Sequence, residues 1–289
     1  MKRKWRGAAL FLPTAAAMTL LLFRSGEAAE AVRLGLHLCA ASLLPALFPF
    51  FVAVSFAVNA GLFHTLRYWG ISTASAVFFL GALGGYPLGG RTVGEAYRAG
   101  LLTKQEAESL LRCCNNAGPA FILTVVGQNV FHSTAAGLTL WGVHLLTALA
   151  LFFLFYRKSR RETAQFSQQT PVTNAFLSAV TGAAETMLRL CAFVVFFSVA
   201  MALLATVFGP VPSLLAGCIE LTVGVTNLSP HRLGFTMAAA LLGWGGIAVH
   251  CQTAALLSDT DLSLRPYLMG KALHGILSAA LAWFLYPLL

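Results

Sequence analysis

Four short polar interruptions in an otherwise apolar chain carry the side chains able to do chemistry. The first is Gly84-Gly85-Tyr86-Pro87, with Arg91 just beyond it. The second is Cys114-Asn115-Asn116-Ala117-Gly118-Pro119. The third is Glu220-Leu221-Thr222-Val223-Gly224, and the fourth is Gly243-Trp244-Gly245-Gly246, followed by His250 and Gln252. Amides, hydroxyls, an imidazole, a guanidinium and a carboxylate are groups that recognise a solute. Bond-making arrangements are missing: there is no His-Glu-x-x-His pair for zinc and no Gly-x-Ser-x-Gly nucleophile elbow. The only aspartates, Asp259 and Asp261, lie together in a loop. An enzyme is therefore not expected, nor is a metal site or a cofactor.

Each of these residues has two readings. Adjacent amides at a Gly-Pro break, Asn115 and Asn116, offer donors and acceptors to a solute; alternatively they cap the broken helix or bond to neighbouring helices. Glu220, an acid in an apolar stretch, is costly unless paired, neutralised or hydrated. It carries a proton, binds a cation or bonds to the solute, or else it pairs with Arg91 or with backbone amides. Arg91 attracts a carboxylate in bidentate fashion, or it anchors topology by reaching to the inner interface. His250 and Gln252 are polar lining or ordinary hydrogen-bonding groups. His37, His64, His132, His144, His231 and His274 show no clustering and are read as structural. Glu185 and Arg189, four apart, read as a helical ion pair.

The elements that must position these groups are membrane helices. The 289 residues are 58% apolar and only 10% charged, with a mean hydropathy of +0.77, whereas soluble chains are about a quarter charged. Apolar runs at 7–23, 45–60, 134–156, 190–208 and 266–289 each approach the ~17–25 residues needed to cross hydrocarbon. The formal charge of +9 does not imply a nucleic-acid partner, because the basic residues sit in short clusters beside apolar runs. Lys2, Arg3, Lys4 and Arg6 form one cluster; Arg157, Lys158, Arg160 and Arg161 form another. The partner implied is the lipid bilayer. The six cysteines lack metal or redox spacing and read as small apolar residues. Residues 1–26 resemble a signal peptide, but the apolar run exceeds an h-region of ~7–15 residues and Arg24 intervenes. They are read as a retained N-terminal transmembrane helix.

The order of features repeats. An amphipathic stretch leads into an apolar run at Leu44 and again at Leu188; a glycine-broken short segment, a longer broken segment and an unbroken span follow in both cases. This divides the chain into a first repeat (27–156), a basic cytoplasmic loop (157–172) and a second repeat (173–289). The expected layout is seven full spans plus two re-entrant hairpins, 71–99 and 212–228. With the N-terminus cytoplasmic, the inner loops then hold most basic residues, among them Arg67, Arg98, Lys104, Arg112, Arg189, Arg265 and Lys271, as the positive-inside rule requires. Three crossings separate Leu44 from Leu188, so the repeats are inverted. Inverted repeats with paired broken helices are the layout of secondary transporters, whose substrate site lies at the midplane. The fold class expected is an all-α polytopic membrane protein, an inverted repeat with two re-entrant hairpins and two broken helices. The function expected is transport of a small polar or anionic solute.

At the four breaks the chain resembles the nucleoside-recognition Gate-domain family. The matching segments are Gly85-Tyr86-Pro87-Leu88-Gly89-Gly90-Arg91, Cys114-Asn115-Asn116-Ala117-Gly118-Pro119-Ala120-Phe121, Glu220-Leu221-Thr222 with Gly224, and the stretch from Gly245 to Gln252. The Asn-Asn-x-Gly-Pro and Gly-Tyr-Pro-x-Gly segments are the specific ones, and the order of segments matches from about residue 27 onward. Two positions depart from the family pattern: Gly84 stands where a serine is usual, and Val223 where an asparagine is usual. The resemblance implies the core architecture of concentrative nucleoside transporters. It also implies Gly85, Tyr86, Pro87, Arg91, Asn115, Asn116, Gly118, Glu220, Thr222, Gly245, Gly246, His250 and Gln252 as substrate- or ion-binding positions. For the sporulation branch of the family it implies passage of dipicolinic acid in a multi-pass cell membrane, the outer forespore membrane. Nucleoside or metal-ion transport, and a non-transporting role in assembly of the spore envelope, stay open beside it. By analogy with trimeric nucleoside carriers, a homo-oligomer is allowed.

Overall fold

The computed structural model describes residues 2–156 and 171–286. The expected basic loop, 157–172, lies outside the described residues apart from its last two positions. The described residues are helical, with no strand among them.

The chain begins with α1 (Lys2–Phe23) and α2 (Ser25–Leu38). A wide π-type turn, Cys39–Leu43, carries α2 on into α3 (Leu44–Asn59), where Pro45 falls in the first turn and Pro49 inside. A proline removes an amide donor and crowds the preceding turn, so an irregular stretch of helix there has a local cause. After α4 (Leu62–Tyr68), α5 (Thr73–Gly84) and α6 (Leu88–Arg98) pack against each other across the turn Gly85-Tyr86-Pro87. Next, α7 (Lys104–Cys114) opens on a capping box between Thr103 and Glu106 and stops at Asn115, whose backbone is extended. Helix resumes in π-type form over Phe121–Val130, and α8 (Thr134–Phe155) follows.

The 37-residue α9 (Val172–Phe208) joins the expected amphipathic stretch and apolar run into one helix. Along it, Glu185 and Arg189 form the ion pair that their spacing predicts. A short pair, α10 (Ser213–Ile219) and α11 (Leu221–Thr226), turns at Glu220. Then come α12 (Arg232–Trp244) and α13 (Gly246–Leu256), separated at Gly245, and finally α14 (Leu264–Leu285). Small residues let the helices approach closely. A Cβ on Gly243 would stand 2.6 Å from Gly275 Cα, bringing α12 against α14, and one on Gly127 would stand 2.6 Å from Gly137 Cα, bringing the π-type helix against α8.

Four helices among the described residues are long and apolar enough to cross a membrane: Thr134–Phe155, Val172–Phe208, Arg232–Leu256 taken across its break, and Leu264–Leu285. The other three expected spans fall on shorter apolar helices, Thr14–Phe23, Leu47–Asn59 and Phe121–Val130. For the last of these the reason is plain: the Asn-Asn-Ala-Gly-Pro segment ends one helix before the next begins. Lys271 corrects the expected charge map. It is not in an inner loop but fully buried on α14.

Candidate functional site

The four breaks lie together. Gly85, with φ of +81°, is in a conformation that favours glycine. Its backbone approaches that of Gly118 so closely that a Cβ would stand 3.0 Å from the Gly118 amide nitrogen. That contact joins the first hairpin to the first broken helix. In the second half, a Cβ on Gly246 would stand 3.1 Å from Leu221 N and 3.2 Å from Ile219 O, which joins the second broken helix to the second hairpin. Tyr86 then links the halves, since its hydroxyl donates to the Leu242 carbonyl at 2.9 Å.

Asn115 is the hub of the junction. Its Oδ1 accepts from the Gly90 amide at 3.2 Å, and its Nδ2 donates to Thr253 Oγ1 at 2.9 Å and to the Tyr267 hydroxyl at 3.2 Å. One buried amide thus ties α6, α13 and α14 to the end of α7. Its own carbonyl accepts from Lys271 Nζ at 2.8 Å. Asn116 does something different: its Nδ2 donates to Cys113 O at 2.7 Å, holding a carbonyl of the last turn of α7. Asn116 Oδ1 is buried without a hydrogen-bond partner.

Around this hub stands a layer of which the sequence motifs mark only Tyr86 and His250. Lys271 lies 4.9 Å from the Tyr86 ring centroid and 3.3 Å from His274 Nδ1. His274 Nε2 donates to the His144 carbonyl at 3.1 Å, and the two imidazoles stack at 4.4 Å. His144 Nε2 in turn accepts from the Ala117 amide at 3.1 Å. His144 and His274, read as unclustered, are therefore neighbours across α8 and α14. His250 Nδ1 meets the Tyr267 hydroxyl at 2.9 Å, and its ring stands edge-on to Trp244 at 4.3 Å. A signal for this layer was present. Tyr267, Lys271, His274 and Ser278 recur at helical spacing on α14, and all are buried.

Other expected site residues are placed elsewhere. Arg91 is buried, but it faces α3 and α9 and not the junction at Asn115. Its Nε pairs with Glu95 Oε1 at 2.7 Å, its Nη2 donates to Ser55 Oγ at 2.6 Å, and its guanidinium lies 5.0 Å from the Phe51 ring centroid. Ser55 Oγ also donates to Glu95 Oε1 at 2.7 Å. The partner of Arg91 is thus Glu95 and not Glu220. Glu220 caps α11, accepting from the Val223 amide at 2.7 Å, and joins no ion pair among the described residues. Thr222 lies in the first turn of α11, partly buried, and Gln252 is buried on α13. Pro87 is buried at the start of α6.

A polar cluster ties one end of the bundle. Arg98 reaches Asp259, Lys104 Nζ pairs with Asp261 Oδ2 at 2.9 Å, and the Tyr97 hydroxyl donates to Asp261 Oδ1 at 2.6 Å. The hydrogen bonds from Arg98 hold the Asp259 carboxyl below its usual range, and those from Tyr97 and Lys104 do the same for Asp261. The bond to Asp261 raises Lys104 and Tyr97.

Long apolar helices and a helical architecture define an integral membrane protein. Among known proteins the chain is similar to the sporulation integral membrane protein YlbJ of Bacillus subtilis (strain 168). The two are 23% identical over 317 residues, which cover 89% of this chain and 77% of that protein. No family model matches the chain, and no solved structure matches it.

Proposed function

We propose that this protein carries a small polar or anionic solute across a membrane through a Gate-type inverted repeat, as in the concentrative nucleoside transporters. The observation that carries this reading is the series of close contacts that brings the four helix breaks together, Gly85 to Gly118, Tyr86 to Gly245 and Gly246 to Leu221. Backbone groups freed by a break cannot be left facing lipid, so breaks at membrane depth persist where protein, water or a ligand satisfies them. A scaffold has no need of four. Carriers built from inverted repeats hold their substrate where such breaks meet. The order of elements supports the repeat: α2–α3 corresponds to α9, α5–α6 to α10–α11, α7 with the π-type helix to α12–α13, and α8 to α14. A carrier is favoured over an enzyme because the sequence holds no catalytic motif.

The similarity to a sporulation membrane protein, together with the Gate-domain resemblance, points to dipicolinic acid as the solute and to a forespore membrane as the setting. Uptake by proteoliposomes tests this, with dipicolinate set against nucleosides, with and without a proton gradient. Saturable dipicolinate uptake is expected. Uptake of nucleosides alone would move the substrate to the runner-up class, and uptake of neither would end the carrier reading.

A further inference from the structure

Lys271 bonds to the carbonyl at the Asn115 break, a role that does not itself require a charge. It is 0% exposed on a helix otherwise suited to crossing a membrane. None of the ion pairs among the described residues includes it. Its Nζ donates to the Asn115 carbonyl and lies 3.3 Å from His274 Nδ1. Burying an ammonium without a counter-charge is unfavourable, and a methionine or leucine would fill the same space without that cost.

The hydrogen bonds around Lys271 leave donors over. His274 Nε2 donates to a carbonyl, so its Nδ1 is free to accept from Lys271. An ammonium has three donors, and these two contacts use two of them. His144 Nε2 accepts from the Ala117 amide, so in the neutral ring the proton sits on Nδ1, which is buried with no partner. The Tyr267 hydroxyl accepts from Asn115 and lies 2.9 Å from His250 Nδ1, nearer than the 3.4 Å to Thr253 Oγ1. Donating to His250 Nδ1 leaves the proton of that ring on Nε2, again buried and unpartnered. Against these donors stand two unpartnered groups able to accept, Asn116 Oδ1 and the Ser278 hydroxyl, which is also able to donate. His144, His250 and Asn116 are 3%, 8% and 1% exposed.

We infer that Lys271 is the residue that selects for negative charge in the solute, its ammonium receiving a carboxylate at the junction of the breaks with the spare imidazole N–H groups as further donors. This rests on the transport reading above and deepens it: the substrate class is a carboxylate anion, and Arg91, already paired with Glu95, is not its receptor.

The test compares two ligands of the same shape and different charge, pyridine-2,6-dicarboxylate and pyridine-2,6-dicarboxamide. Binding to the purified full-length protein is measured by calorimetry, alongside uptake by proteoliposomes. The wild-type protein should bind the dicarboxylate at least about tenfold more tightly than the diamide, the size of one charge-assisted hydrogen bond. Lys271→Met should weaken dicarboxylate binding about ten- to a hundredfold and diamide binding less, so that the preference for the dicarboxylate is lost, and Lys271→Arg should retain the preference for charge. Equal binding of the two ligands by the wild-type protein overturns the assignment even if Lys271→Met does not fold. So does a folded Lys271→Met protein that keeps its preference for the dicarboxylate. Wild-type protein that neither binds the dicarboxylate nor transports any solute overturns the carrier reading, and this inference with it.

Discussion

Tyr86 lies over Gly245 so closely that a Cβ on the glycine would stand 3.0 Å from both the ring Cζ and the hydroxyl oxygen. Two breaks far apart in sequence therefore constrain each other. The phenol can reach the Leu242 carbonyl because Gly245 has no side chain. Gly245 in turn takes a φ of +92°, which a side chain would strain.

Gly245→Ala should consequently destabilise the protein by about 1–3 kcal/mol from backbone strain, with the steric clash in addition. Thermal unfolding of the purified protein in detergent measures this. Combining Gly245→Ala with Tyr86→Ala should relieve the clash and leave the strain, so the double variant should be less destabilised than the sum of the single variants. Strict additivity would show that the contact between the two breaks carries no energy.

The ion pair of Arg91 and Glu95 is buried on both sides, with side chains 6% and 16% exposed. Removing one partner of a buried pair leaves an uncompensated charge, at about 3–5 kcal/mol. Arg91→Met should lower stability by that order, and adding Glu95→Gln should restore most of it. Where transport survives, Arg91→Met should reduce uptake of a dicarboxylate and of a neutral solute alike. Selective loss of the dicarboxylate would return Arg91 to the substrate site.

How much of this arrangement was legible in the sequence depends on the kind of signal. The breaks were legible because glycine, proline and adjacent asparagines interrupt apolar runs, and such interruptions are local. Glu95 was legible as well, standing four residues after Arg91 just as Arg189 stands four after Glu185, yet only the latter pair was read as an ion pair. Lys271 reads as a topology signal in the sequence, being a basic residue near an apolar run, yet it is fully buried. Its burial depends on the packing of α14 against α7 and α12, which composition does not report. His144 and His274 are 130 residues apart, and no sequence spacing reveals that they stack. The polar stripe Tyr267, Lys271, His274 and Ser278 was the available clue, because four polar groups at helical spacing on an apolar helix mark a buried polar face.

The cluster of Arg98, Lys104 and Tyr97 with Asp259 and Asp261 should be sensitive to acid. Both carboxyls are held below their usual range in the folded protein, and unfolded aspartate titrates near about 3.9. Their contribution is therefore complete above about pH 5 and is lost as pH falls through the lower folded-state values. Lys104 and Tyr97 are raised, so their contribution holds below about pH 10 and is lost as pH rises through the folded-state values. The contribution of this cluster to thermal stability should be flat between about pH 5 and 9 and decline in stronger acid. Asp259→Asn with Asp261→Asn should lower the plateau slightly and flatten the acid limb. An unchanged acid limb would place the acid sensitivity elsewhere.

Glu220 is the residue whose substitution most directly separates folding from transport. Its carboxylate accepts from the Val223 amide at 2.7 Å and so starts α11. Glutamine keeps an acceptor oxygen in that place and removes the ability to ionise, whereas alanine removes the cap, at about 1 kcal/mol. If Glu220 serves only as a cap, Glu220→Gln should transport normally and Glu220→Ala should lose stability and activity together. If its ionisation belongs to the transport cycle, Glu220→Gln should express and unfold nearly as the wild-type protein does, yet lose uptake or the dependence of uptake on pH. We expect the second outcome. A half-buried acid at a break, with no ion pair among the described residues, has the Val223 amide as a partner and is left to water, a cation, a solute or a proton for the rest of its stabilisation. Normal uptake by Glu220→Gln at every pH at which the wild-type protein transports would reduce Glu220 to a helix cap and move any proton coupling to the imidazoles beside Lys271.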